Sequence, residues 1–295
     1  MSAVAQTSSV APAFAPAESR FRTLLRSRSG VVGMVMVAIL AALSALSFLG
    51  WLPHDPLAQD PPARLVGPSF DHLFGTDQFG RDVFSRAAAG VANSARISVV
   101  AVTFASVVGT LAGLISGFFR GVPDRVIGGV TNILFAFPPL LLALSLASVF
   151  TRNWFTIAVA IAIVYVPIFI RVTRGPVLTL REIEYVKAAI SSGQRRFSIL
   201  LRHVLPNIIS IVIVQVTLAL SWAVLTEASL TYLGLGTPPP APSLGSMIFE
   251  ARILVQVAPW TMIGPGLVVV FLVVGLNLIG DGLRDTLDPR NRGHR

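Results

Sequence analysis

Residues 184–207 read EYVKAAISSGQRRFSILLRHVLPN and lie between two long apolar runs. Glu184, Lys187, Arg195, Arg196, Arg202 and, when protonated, His203 place charge in a chain otherwise suited to hydrocarbon. Each charge at a bilayer centre costs about 2.5–3.5 kcal/mol even on a lenient insertion scale, so this stretch must project into water. Its basic balance favours the cytoplasmic side. Tyr185, Ala188 and Ala189 fall at i, i+3 and i+4 and form one small apolar helical face. Gly193 is placed to stop or bend that helix, since glycine is the usual residue just past a helix end. Phe197, Leu200, Leu201 and Val204 line one stripe of a second short helix, which Pro206 ends as the next apolar run begins. This periodicity fits an ordinary basic loop with incidental helix. It also fits a compact helix–glycine–helix knob shaped to dock in another protein's groove.

The surrounding chain fixes the class. Of its 295 residues, 54% are hydrophobic and 13% charged, with mean hydropathy +0.75. Soluble domains carry about 25% charged residues, so composition alone indicates a membrane protein. The absence of cysteine excludes disulfides, thiolate metal sites and a cysteine nucleophile. A net charge of +9 in a soluble protein would suggest nucleic acid. Here the basic residues flank apolar runs, so lipid is the expected contact and no nucleic acid is expected. Lys187 is the only lysine, and the arginine flanks stay charged at any ordinary pH.

Six apolar runs, residues 30–52, 97–119, 126–150, 153–170, 208–233 and 260–280, each approach the length that crosses a bilayer. The sequence thus predicts an all-α membrane protein with six transmembrane helices. Pro138, Pro139, Pro167 and Pro265 fall inside runs, which membrane helices tolerate when neighbours satisfy the freed backbone. Residues 1–29 read as a disordered Ala-, Pro- and Ser-rich tail ending in a basic flank. The first run exceeds the roughly 7–15 apolar residues of a cleavable signal, so it is expected to remain as a span. With both termini cytoplasmic, the inner segments, including loop 171–207 and tail 282–295, hold seventeen Lys and Arg. The outer segments hold six: Arg64, Arg81, Arg86, Arg96, Arg152 and Arg252. That asymmetry selects this orientation. It leaves residues 53–96 and 234–259 as long outer loops, with a tight turn at Thr151-Arg152.

The first outer loop contains Gly75-Thr76-Asp77-Gln78-Phe79-Gly80-Arg81-Asp82-Val83-Phe84-Ser85-Arg86. Its glycines allow turns and its neighbouring Asp and Arg allow ion pairing. It serves either to orient the second span or to receive a protein that delivers substrate. Glu227 is the one acid well inside an apolar run. It is either a counter-charge on a substrate path or a hydrogen-bonded helix contact. No G-x-x-x-x-G-K-[ST], H-E-x-x-H or G-x-S-x-G occurs, so the chain carries no nucleotide-hydrolysing or other catalytic constellation. His54, His72, His203 and His294 are scattered without metal-ligand spacing, and no metal site is expected.

Four strings carry a resemblance. Glu184-Tyr185-Val186-Lys187-Ala188-Ala189, then Gly193 and His203-x-Leu205-Pro206-Asn207, are similar to the EAA loop of ABC-importer permeases, with Lys187 where the family has its naming glutamate. The Gly75–Arg86 string, the run from Glu227 through Gly234-Leu235-Gly236 to Gly245, and the tail from Gly280-Asp281 to Asp288-Pro289-Arg290 resemble the dipeptide/oligopeptide/nickel permeases. The chain is therefore identified as resembling a C-type permease subunit of that family. The resemblance implies a type I ABC importer permease fold in a bacterial inner membrane. It implies a second permease subunit completing a heterodimer, two ATPase subunits carrying ATP and Mg, and an extracytoplasmic solute-binding protein. It implies ATPase coupling through Glu184, Tyr185, Lys187, Ala188, Ala189, Gly193, His203, Leu205, Pro206 and Asn207. The implied cargo is a di- or oligopeptide, with nickel complexes, glutathione, opines and oligosaccharides as alternatives. A stand-alone secondary transporter is the reading from another class. It would show paired ionisable residues in several spans or an internal repeat, and this sequence has neither.

Overall fold

Capping residues set where the helices begin. A computed structural model of the protein describes residues 27–287. α1 (Arg28–Phe48) starts at Ser27, whose hydroxyl accepts the Gly30 amide at 3.1 Å. α2 (Val83–Phe119) starts at Asp82, whose Oδ2 accepts the Ser85 amide at 2.7 Å. α3 (Gly121–Phe135) and α4 (Pro139–Val149) follow. α5 (Trp154–Arg181) opens with a capping box between Asn153 and Thr156. α6 (Glu184–Ser191) and α7 (Arg196–Ile199) lead through one widened turn, Leu200–Val204, into α8 (Leu205–Leu230). α9 (Leu244–Ala251) opens with a Ser243–Ser246 capping box, and α10 (Trp260–Leu287) ends the described chain. Among the described residues the only β pairing is an isolated bridge between Thr76 and Asp82. Residues 1–26 of the expected tail and the Asp288-Pro289-Arg290 string lie outside the described residues.

Among the described residues five helices are long and apolar enough to cross a membrane, or six when the bent pair α3–α4 counts as one span. Three features differ from the expected spans. Residues 83–96, expected as loop, are the first turns of the 37-residue α2. At 1.5 Å per residue that helix is about 55 Å long, well beyond a hydrocarbon core of about 30 Å. Arg86, Asn93 and Arg96 hid this extension from a reading based on hydropathy. Residues 126–150, expected as one span, are two helices meeting at 93°. Pro138 and Pro139 cause the break, because the residue before a proline is pushed out of the α region, and Pro138 sits at ψ 131°. Residues 171–181, expected as loop, continue α5 past Pro176.

Packing depends on small residues where helices cross. Helices in lipid gain nothing from hiding apolar surface, so close backbone approach has to hold them together. Gly109, Gly113 and Gly117 lie four apart on α2 and face α5. A Cβ on Gly109 would stand 2.5 Å from Phe169 Cβ, one on Gly113 2.7 Å from the Ile170 carbonyl, and one on Gly117 2.8 Å from Val177 Cγ1. α1 meets α10 in the same way, since a Cβ on Gly33 would lie 2.6 Å from the Gly275 carbonyl. Around these seams one apolar cluster joins α2, α4, α5 and α8 through Ile97, Ala105, Ala143, Ile161, Phe169 and Ala223. A second joins α1, α2, α9 and α10 through Leu40, Val91, Leu244 and Leu272. The bundle thus has two ends. One carries residues 49–82 and 236–259, and the other carries the α6–α7 hairpin.

Candidate functional site

The hairpin is built as the glycine spacing demands. α6 ends in a Schellman closure, with the Gly193 amide donating to the Ile190 carbonyl at 3.1 Å and the Gln194 amide to Ala189 at 3.2 Å. Gly193 sits at φ 76°, a left-handed conformation that glycine adopts without a Cβ penalty. The hairpin returns toward α8 through the wide turn Leu200–Val204, where the Leu205 amide reaches back to Leu200. Pro206 explains the widening, because its ring crowds the carbonyl four residues earlier and it has no amide to offer it. Contrary to expectation, Pro206 does not end this helix. It sits in the first turn of α8, which continues the same rod.

The buried face differs from the one expected. Val186 and Ala189 of α6 are buried, whereas Tyr185 (45% exposed) and Ala188 face outward. Ile199, Leu200 and Val204 are buried, whereas Phe197 (61% exposed) and Leu201 are not. The buried set packs on Leu114 and Phe118 of α2 and Val177 of α5. The side from which α2 and α5 approach, rather than the period within α6, selects Val186 over Tyr185. At the base of the hairpin the Asn207 amide donates to the His203 carbonyl at 2.6 Å and to the Tyr185 hydroxyl at 3.2 Å. Tyr185 of α6 is thus brought against His203 and Asn207 on the returning arm of the hairpin. Lys187 pairs with Glu182 at 3.2 Å, and Arg120 reaches the same carboxylate at 3.3 Å. The Lys187 ammonium, assisted by Arg120 and Arg181, holds the Glu182 carboxyl below its ordinary range. Nearby, Arg174 forks both oxygens of Asp124 at 2.7 and 2.8 Å, linking α5 to α3. Arg171 stacks on Phe135 at 4.1 Å.

At the opposite end the Gly75–Arg86 string folds on itself. Gly75 and Gly80 take left-handed conformations, and a Cβ on Gly80 would collide with the Asp60 carbonyl. Thr76 accepts the Val66 amide at 2.8 Å. Asp77 accepts the Phe79 and Arg81 amides at 2.8 and 3.0 Å and the Arg81 guanidinium at 2.6 Å. Arg81 and Arg86 both reach Glu250 on α9, at 2.7 and 3.3 Å. Arg86 is 2% exposed and also faces Asp77 at 3.6 Å. Ser85 is buried beside it in the first turn of α2. These contacts tie the loop, the start of α2 and α9 together, which supports the orienting role. Glu250 was not singled out in the sequence, although it is the one acid between residues 234 and 259. Arg86→Ala is expected to lower stability by about 3 kcal/mol, the lower end for breaking a buried pair, since Glu250 is partly exposed. Denaturation of the purified chain in detergent checks this, and wild-type stability would exclude the role.

Glu227 is 0% exposed, and its Oε1 accepts the Thr231 hydroxyl at 3.0 Å. Ser94 of α2 and Ser243 before α9 supply its other polar neighbours. The carboxyl is enclosed by α8, α2 and the loop before α9, and its Oε2 has no hydrogen-bond partner among the described residues.

The family model of the binding-protein-dependent transport system inner membrane component matches residues 109–293. The dipeptide transport system permease protein DppC of Alkalihalophilus pseudofirmus is 39% identical over 94% of this chain and 91% of that protein. The glutathione transport system permease protein GsiD of Pectobacterium atrosepticum is 39% identical over 76% of this chain and 74% of its own. GsiD of Escherichia coli is 40% identical over 77% of this chain and 75% of its own. Among solved structures, a chain of the MetNI methionine ABC transporter in inward facing conformations aligns with TM-score 0.56 at 19% identity. That alignment covers 68% of this chain and 95% of the other, and it shows a shared fold. With a family model matched over residues 109–293 and relatives at 39–40% identity, the chain belongs to the binding-protein-dependent transport system inner membrane component family, as a multi-pass, non-catalytic permease subunit of an ABC importer.

Proposed function

We propose that this chain forms half of the translocation path of an ATP-driven importer of short peptides. A second, different permease subunit supplies the other half. Two ATPase subunits hold ATP and Mg, and an extracytoplasmic solute-binding protein delivers the cargo to the end bearing the Gly75–Arg86 cluster. Both termini and the α6–α7 hairpin face the cytoplasm, as the excess of basic residues at that end favours. Dipeptide is favoured over glutathione because the match to the dipeptide permease extends over 94% of the chain, against 76–77% for the glutathione permeases.

The observation that carries this reading is the two-sided hairpin. Val186, Ile199, Leu200 and Val204 clamp it to the ends of α2 and α5, while Tyr185, Phe197 and Leu201 remain exposed for a partner's groove. Force applied by closing ATPases would pass into two long rods rather than be absorbed by a flexible loop, swinging the bundle between inward- and outward-facing states. Reconstitution of the chain with its permease, ATPase and binding-protein partners tests the proposal. Uptake of a labelled dipeptide is expected to require ATP and all components, with excess glutathione competing weakly. Uptake driven by an ion gradient without the ATPases would overturn it.

A further inference from the structure

Two histidines far apart in the sequence meet in the fold. The rings of His54, in the segment after α1, and His72, in the turn before the Gly75–Arg86 string, lie 4.6 Å apart. His72 Nδ1 stands 2.9 Å from Asp82 Oδ1. One ligand atom from each of His54, His72 and Asp82 can be chosen so that all three lie within 4.8 Å of one another. We propose that His54, His72 and Asp82 form a binding site for a divalent transition cation of the zinc class, independent of the cargo path.

The donor set suits that class. Two imidazoles and one carboxylate are borderline ligands that favour zinc-like ions over magnesium or calcium, which take oxygen. Two ligands about 2.1 Å from a tetrahedral ion stand about 3.4 Å apart, so the 2.9 Å His72–Asp82 contact opens only slightly to admit it. The ion replaces the proton that this contact shares. His54 closes from the third side, and a water completes four-coordination.

The surroundings already aim these groups. Asp82 Oδ2 is held by the Ser85 amide at 2.7 Å, leaving Oδ1 directed at His72. The Asp82 side chain is 4% exposed, so it is fixed before any ion arrives. His72 sits in a tight turn in which the Ser69 and Gly75 amides both donate to its carbonyl, at 2.9 and 2.8 Å. An outer-shell hydrogen bond of the kind that orients metal ligands is therefore in place for Asp82, and the turn fixes the backbone that carries His72. His54 is the ligand that comes from outside this turn, and its capture would staple the segment after α1 to the start of α2.

Equilibrium dialysis of the untagged full chain in detergent against Zn2+ tests this, with His54→Ala and His72→Ala measured beside wild type. One equivalent is expected in wild type, with at least a 10-fold loss of affinity in each variant. Equal binding by wild type and the His54→Ala/His72→Ala double variant would place the ion elsewhere and overturn the site, as would no binding by wild type. Because His72→Ala also removes a contact to Asp82, a second readout uses His54→Ala alone. Zn2+ is expected to slow tryptic cleavage after the exposed Arg64 in wild type and to leave His54→Ala unchanged. Equal protection of both chains would refute the staple. Neither readout involves transport, so failure here leaves the importer reading intact, and the reverse also holds.

Discussion

Gly193→Pro is expected to cut ATP-driven uptake at least 10-fold while membrane insertion and ATP hydrolysis by the assembled complex persist. The native φ of 76° is unreachable for proline, whose ring fixes φ near −65°. Proline also removes the amide that donates to Ile190, so the Schellman closure is lost. α6 would then leave its angle to α7, and the exposed face of Tyr185, Phe197 and Leu201 would no longer present as one surface. Gly193→Asn serves as the control, since asparagine tolerates this conformation and is expected to keep uptake within about twofold. Parallel assays of uptake and phosphate release separate the cases. Normal uptake by Gly193→Pro would remove the hairpin from the mechanism. Loss of folded protein would instead show that the hairpin holds the bundle together.

Gly113→Leu is expected to lower stability strongly. Its Cβ would lie 2.7 Å from the Ile170 carbonyl and 2.7 Å from Thr173 Cβ, and neither is the flexible end of a side chain. α2 and α5 would have to part along the whole seam from Gly109 to Gly117. Overpacking typically costs about 1–3 kcal/mol, and obstruction by backbone places this change at the top of that range. At about 2–4 °C per kcal/mol for a chain of this size, the apparent melting temperature should fall by about 6–12 °C. Gly175→Leu is the matched control, because nothing lies within 4 Å of a Cβ there. Melting followed by circular dichroism in detergent checks the pair, and equal melting of the two variants would rule out close approach as the source of cohesion.

The two variants share a logic. A hairpin can act as a handle only if the rods behind it are stiff, and the glycine seam between α2 and α5 supplies that stiffness. The hairpin's buried face, Val186, Ile199 and Leu200, meets Leu114, Phe118 and Val177 close to Gly117, at the end of this seam. The wide turn at Leu200–Val204 keeps the hairpin continuous with α8 as well.

The sequence by itself determined the all-helical membrane class, the number of apolar runs, the helix stop at Gly193 and the turns at Gly75 and Gly80. Each follows from local physics: the length of an apolar run, or the need for a residue without a Cβ where φ turns positive. Tertiary structure alone decided which faces are buried. Tyr185 and Val186 are neighbours, yet the hairpin's approach to α2 buries only Val186. It also joined Arg81 and Arg86 to Glu250, enclosed Glu227 and brought His54 to His72. Such contacts depend on how separate segments meet in space, and residue spacing along a single chain holds no record of that.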